Sequence, residues 1–245
     1  MLRRVNYGDF DLIITFLTLA KGKITVIAKS AKKSTKRFSG VLELFSLMEL
    51  VCRIPRRQGL PVLEEATLKQ PFGGIRTNVL KTAYASYWSE MINEWMEDNQ
   101  RDDRLYTLFA YVLRELDASR ISEAVLSLLF QMRFLKLAGL SPQLAACNIC
   151  SREMERIDGN SLTVDLSKGG IVCDRCPDGI SKQIQLSKGT IKQLCWIESG
   201  DLVKASRIRF SDAAVKEGLD FLEAFVPFHL GKKPRSLTFL QQVRR

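Results

Sequence analysis

Four cysteines at metal-ligand spacing constrain this chain more than any other feature. Cys147-Asn148-Ile149-Cys150 and Cys173-Asp174-Arg175-Cys176 are two Cys-x-x-Cys knuckles separated by Ser151 to Val172. A two-residue spacer turns both sulfurs of a knuckle to one side of a tight turn. Two such turns facing each other complete the tetrahedral shell that Zn²⁺ prefers. The segment between them has the pattern of a ribbon: Leu162 to Leu166 as a strand, Lys168-Gly169-Gly170 as a turn, and Ile171-Val172 as the return. Unpaired structural cysteines or two disulfides are the competing readings, but nothing in the sequence indicates an oxidising compartment. One Zn²⁺ held by Cys147, Cys150, Cys173 and Cys176 is therefore expected. A closed Cys₄ shell leaves no coordination position for chemistry, so the metal is structural.

The 245 residues suffice for one large domain or two to three small ones. No apolar run approaches the roughly 20 residues that cross a bilayer. Met1 to Arg4 lead into a Gly-Asp turn instead of an apolar segment, which predicts no signal peptide and a cytoplasmic, reducing location. Cys52 and Cys195 then read as buried free thiols. The formal net charge is +10, unevenly spread. Residues 1–74 carry 13 Lys and Arg against 6 Asp and Glu, whereas residues 75–145 carry 8 against 9. A basic head on a near-neutral middle points to a polyanionic partner, nucleic acid first.

That head reads as β structure. Leu12 to Leu19, Ile24 to Ile27, Val41 to Cys52 and a segment starting at Leu60-Pro61-Val62-Leu63 are strand-like. Several short strands in about 70 residues suggest a small closed barrel, for which the OB-fold is the common choice. Between two of them lies a run from Lys29 to Gly40. It offers Lys29, Lys32, Lys33, Lys36 and Arg37 interleaved with hydroxyls and ends in Phe38, placed to stack on a base or plug the barrel mouth. Such residues neutralise and hydrogen-bond phosphates without reading sequence. Arg3, Arg56 and Arg57 are further candidates for DNA or RNA contact.

Pro71 to Gly74 breaks the pattern, and helical periodicity follows. Leu80, Tyr84, Tyr87, Trp88, Met91 and Trp95 form one stripe; Leu105, Leu108, Phe109, Val112, Leu113 and Leu116 a second. A third runs from Ile121 to Leu135, with Ser119 or Ser122 as its cap. Arg133 and Lys136 flank its apolar face, a basic rim suited to an acidic-hydrophobic peptide tail. Beyond the ribbon, Ser187 to Ile197 reads as helical, and Asp212 to Leu230 as a stronger helix stopped by Gly231. His229, the single histidine, falls in its last turn, where a dipole or hydrogen-bonding role fits better than catalysis.

No enzyme emerges. Gly73-Gly74 has no Lys-Ser/Thr downstream, no His-x-Glu accompanies a knuckle, and one histidine assembles no triad.

Taken in order, several segments resemble the bacterial RecO family of recombination-mediator proteins. They are Leu2 to Asp9, Gly22-Lys23-Ile24 running into the basic loop, Pro71 to Arg76, Ala83 to Tyr87, Arg133-Phe134-Leu135 through Gly139 and Pro142 to the knuckles, and Phe228 to Leu237. Family members commonly begin some residues earlier, so a short first strand is expected. The resemblance implies an α+β architecture: an N-terminal OB-fold barrel over 1–72, a helical domain formed by 73–145 and 183–245, and an inserted Cys₄ zinc ribbon over 146–182. It further implies a protein that binds single- and double-stranded DNA and anneals complementary strands. The implied protein partners are the C-terminal tail of single-strand-binding protein (SSB), which Arg133 and Lys136 would hold, and RecR, with which it loads RecA. Two other classes fit the residues alone: a zinc-ribbon OB-fold RNA-binding factor, and a non-enzymatic adaptor whose basic loop meets an acidic protein.

Overall fold

The computed structural model describes residues 1–34, 37–176, 182–205 and 207–244. The chain divides into two compact units, residues 1–118 with 234–245, and residues 119–233.

The first unit opens with β1 (Arg3–Tyr7), β2 (Asp11–Thr18), β3 (Gly22–Ala28), β4 (Leu47–Arg53) and β5 (Val62–Gln70). They form one sheet in the order β1-β2-β3-β5-β4, antiparallel except for a parallel β3–β5 pairing at Ile27 and Val62. The sheet curls because the approach to β4 returns beside the start of the chain. The Phe45 N–H donates to Met1 O at 3.4 Å, and the Met1 amino group donates to Ser46 O at 3.3 Å. Alternate residues Leu12, Ile14 and Phe16 of β2, with Val26, Ala28 and Leu63, fill the interior, as the two-residue period of a strand requires. This is the OB-fold barrel expected from the strand pattern.

One expected strand is corrected. Val41 to Cys52 is not continuous: residues 41–46 form turns, and Phe45 adopts the left-handed region at φ 67°. The alternation misleads there because Leu42 and Leu44 still point into the core, as Met48 and Leu50 do. The apolar period therefore persists through backbone that makes no ladder.

Helices α1 (Gly73–Arg76), α2 (Val79–Trp95) and α3 (Asp103–Ala118) follow. Asn78 caps α2 by accepting from the Lys81 N–H at 3.0 Å. All six residues of the predicted α3 stripe are buried.

A tight lock joins the β2–β3 hairpin to the α2–α3 connection. Asn99 N donates to Lys23 O at 2.7 Å, and the Lys23 ammonium reaches Asn93 O at 3.0 Å and Asp98 at 3.4 Å. Gly22, at φ 69°, lets the backbones touch: a Cβ there would lie 1.8 Å from Gln100 O. Gly22→Ala is therefore expected to destabilise this unit by upwards of about 3 kcal/mol, because neither φ nor an opposing backbone carbonyl can give way. Chemical denaturation checks this.

The second unit contains α4 (Glu123–Leu137), capped by Ser122, then β6 (Ser161–Asp165), β7 (Gly170–Val172) and β8 (Gln183–Ser187). α5 (Lys188–Ser199), α6 (Leu202–Ala205) and α7 (Asp212–Leu230) complete it. The ribbon has a third strand that the sequence pattern did not indicate. β8 pairs antiparallel with the free edge of β6, so the sheet order is β7-β6-β8 and extends to Ser187. The last helix, α8 (Arg235–Val243), packs on α2 in the first unit. Glu90 caps it, accepting from the N–H groups of Arg235 at 3.1 Å and Ser236 at 2.8 Å.

A second carboxylate, Glu217 of α7, receives the Ser187 N–H at 3.0 Å and the Ser187 and Thr190 hydroxyls at 2.8 Å, at the start of α5. Burial pushes this carboxyl up, but the donors from Ser187 and Thr190 outweigh it and hold it below its ordinary 4.5. Its contribution is thus complete above pH 4.5 and is lost as pH falls through the lower folded-state value. Glu217→Gln should cost about 1–2 kcal/mol at neutral pH. Urea titrations of the two proteins should converge below the ordinary carboxylate range and stay parallel above it.

Candidate metal centre and nucleic-acid interface

The two knuckles meet. The sulfurs of Cys147, Cys150, Cys173 and Cys176 all lie within 4.8 Å of one another. The Cys147–Cys176 separation is 3.8 Å, and Cys150–Cys173 and Cys173–Cys176 are each 3.6 Å. A tetrahedron with Zn–S bonds of about 2.3 Å has edges of about 3.8 Å, so the donor set fits one tetrahedral ion. None of the four is in a disulfide. Each knuckle is a short turn, with Ser151 N donating to Cys147 O at 2.9 Å and Cys176 N to Cys173 O at 3.0 Å. Around Cys147 the backbone supplies donors: burial pushes this thiol up, but the N–H groups of Cys150, Ile149 and Cys173 outweigh it and bring it down to about 6. Donors that favour thiolate are those a metal site needs.

Cys52 and Cys195 stand apart and are half-buried, less enclosed than expected. Burial, aided by the charges of Glu64 and Glu198 respectively, pushes both thiols up. His229 packs on Phe225, ring centroids 4.2 Å apart. Burial lowers its pKa despite a hydrogen bond to the Leu166 backbone, so the neutral imidazole is favoured and a cation on the helix dipole is not.

The barrel's registers bring distant basic residues together. Tyr7 pairs with Asp11, Leu12 with Ala28, Ile27 with Val62, and Arg53 with Val62. Three connections therefore leave the same end of the barrel: residues 8–10, the basic loop from Lys29, and residues 54–61 carrying Arg56 and Arg57. Phe38 settles its alternatives by inserting into the core at 4% exposure, and Ala31 does the same. These two anchors leave Lys29, Lys32, Lys33 and Arg37 exposed on the surface. The loop is strapped to the neighbouring turn: Lys32 N donates to Phe10 O at 3.0 Å, and Ser30 N to Asp11 Oδ1 at 2.7 Å. Lys29, Lys33, Arg37, Arg56 and Arg57 have no carboxylate partner among the described residues. Lys36 lies outside the described residues.

Arg3 is not at this end. It faces Thr15, four residues along β1 from Tyr7, roughly 13 Å away. Two residues with no signal beyond being aromatic near a Gly-Asp turn do belong here: Tyr7 and Phe10 are 54% and 41% exposed.

Arg133 has a structural job that spacing did not reveal. Its Nε donates to Ile197 O at 2.8 Å and its Nη2 to Gly200 O, satisfying carbonyls at the C-terminal end of α5. Lys136, one turn on, is exposed. Arg133→Ala should therefore lower stability by about 2–3 kcal/mol, measurable by denaturation, before any effect on a partner is considered. Lys136→Ala should leave stability unchanged.

Family models cover nearly the whole chain. Residues 1–72 match "Recombination protein O N terminal" and residues 76–238 match "Recombination protein O C terminal". Among curated proteins, the chain is 47% identical to the DNA repair protein RecO of Desulfosudis oleivorans, spanning all of this chain and 96% of that protein. It is 44% identical to RecO of Desulfatibacillum aliphaticivorans, over all of this chain and 95% of that one. RecO of Syntrophus aciditrophicus is 32% identical, with 100% and 94% covered. No helix among the described residues is long and apolar enough to cross a membrane. With its OB-fold barrel, helical elements and Cys₄ cluster, the chain belongs to the RecO family of DNA repair and recombination proteins.

Proposed function

We propose that this protein binds DNA without sequence preference through the basic end of its barrel and anneals complementary single strands. The observation that carries this is the convergence of three connections at one barrel end, bringing Arg56 and Arg57 beside Lys29, Lys32, Lys33 and Arg37. Phosphates of both single and double strands can be neutralised there. Annealing follows from the same charge, since two polyanions approach only when their repulsion is screened.

Family membership supports the rest: a non-enzymatic mediator that engages the SSB tail and works with RecR to replace SSB by RecA. An acidic-hydrophobic tail needs a cation beside apolar surface. α5 offers Trp196, 52% exposed and running along Gly200, the residue that Arg133 holds. Lys136 supplies a second cation on α4. The Cys₄ cluster holds one Zn²⁺ that supports the second unit and takes no part in chemistry.

Annealing of complementary strands coated with SSB tests the proposal. Acceleration over the uncatalysed rate, lost when the SSB tail is removed, is expected. No acceleration, or stronger competition by RNA than by DNA oligomers, would contradict it.

A further inference from the structure

The electrostatic site leaves two exposed rings unexplained. Phe10 lies in the turn between β1 and β2, and Tyr7 ends β1 three residues earlier on the same hairpin. Phe16, Phe38, Phe45 and Phe72 of the same N-terminal segment are by contrast buried. Phe10 is 41% exposed, and the Lys33 ammonium lies over its ring, 3.3 Å from the centroid. Lys32 holds the loop in place from the same side, its ammonium donating to Gly8 O at 3.2 Å and Asp9 O at 3.4 Å. A ring partly in water, beneath an exposed cation and among residues suited to phosphate, matches the two needs of an unpaired nucleotide: a flat apolar face for the base and a nearby positive charge for its phosphate.

We propose that Phe10, assisted by Tyr7, is a stacking platform for unpaired bases of a DNA strand, and that Lys33 moves from the ring to the adjoining phosphate when a base arrives. This rests on the DNA-binding function proposed above and adds a preference that charge alone does not supply. Phosphates are equally available on single and double strands, whereas base faces are open only on single ones. The platform therefore favours single strands and holds their bases apart from one another, ready to meet a complement.

The test compares an oligothymidylate with an abasic strand of the same length, which keeps the phosphates and removes the bases. The wild-type protein is expected to bind the base-bearing strand roughly 5- to 150-fold more tightly per stacked base. Phe10→Leu, which keeps apolar bulk but lacks a π face, should erase most of that preference. Its affinity for the abasic strand and its dependence on salt should stay unchanged, since no charge is lost. Phe10→Trp should retain the preference, and Tyr7→Leu should reduce it in part. Far-UV spectra and metal content identical to wild type confirm that the variants fold. Equal wild-type affinity for the two strands overturns the platform while leaving the charge-based function standing. A Phe10→Leu variant that loses affinity for both strands alike also overturns it, because the ring would then only position Lys33. Failure to bind either strand overturns the DNA-binding function itself.

Discussion

Replacing Cys173 with Ser is expected to empty the metal site and unravel the ribbon. The wild-type protein, purified without chelator, should carry one zinc per chain; the variant should carry well under half. The effect is large because metal affinity is folding energy here. Apparent binding free energies of about 10–16 kcal/mol at structural zinc sites match or exceed the total stability of an ordinary domain. The β6–β7 arm has few resources of its own: β7 is three residues long, and both knuckles flank it or face it. Loss of near-UV signal and protease cleavage between residues 147 and 176 should accompany loss of metal. Cys52→Ser and Cys195→Ser should leave metal content unchanged, as neither joins the four-sulfur cluster. A Cys173→Ser protein that keeps both its metal and its protease resistance contradicts the assignment.

The second large effect is expected from reversing Lys32, Lys33 and Arg37 together to Glu. At about 0.1 M salt, three lost phosphate contacts at about 0.7 per decade each correspond to roughly a hundredfold weaker single-strand binding, and the added repulsion increases the loss. Every sequence should be weakened alike, because the loop has no fixed pair of donors aimed at base edges. Annealing should fall in step. The barrel should survive, since the anchors Phe38 and Ala31 are untouched and the bonds lost, from Lys32 to Gly8 O and Asp9 O and from Arg37 to Lys29 O, are exposed ones local to the loop; far-UV spectra check this. Filter binding and a strand-annealing assay on the same preparation check both expectations. Retained annealing despite weakened binding would separate the two activities and contradict their common origin in charge.

Much of this was legible where local chemistry decides structure. The cysteine spacing is itself the chemistry of the site, so four sulfurs within 4.8 Å could be anticipated from sequence. The α3 stripe and the bounds of α7 followed from the helical period, with Gly231 as the stop of α7; the cap at Ser211 appears only in the structure. β8 escaped because Gln183 to Ser187 is only five residues long: it alternates polar and apolar, but so short a run is held as a strand by the edge of β6. The role of Arg133 escaped because its acceptors are 64 and 67 residues away. The nucleic-acid site was half visible. The basic loop announces itself by composition, but its meeting with Arg56 and Arg57 depends on the parallel β3–β5 register, which no local pattern encodes. Phe10 was silent for the same reason: its surroundings come from a loop more than 20 residues further on.

The central claim is that the barrel end binds single strands mainly by displacing counterions from phosphates, and one measurement addresses it directly: the slope of log K against log salt for an unstructured single strand. Five contacts from Lys29, Lys32, Lys33, Lys36 and Arg37 give about −3.5, and engagement of Arg56 and Arg57 as well steepens this to about −4.9. The Lys32, Lys33 and Arg37 charge reversal should flatten the wild-type slope by about 2. A shallow wild-type slope, or a steep one that the triple variant leaves unchanged, would place the DNA site elsewhere on the molecule.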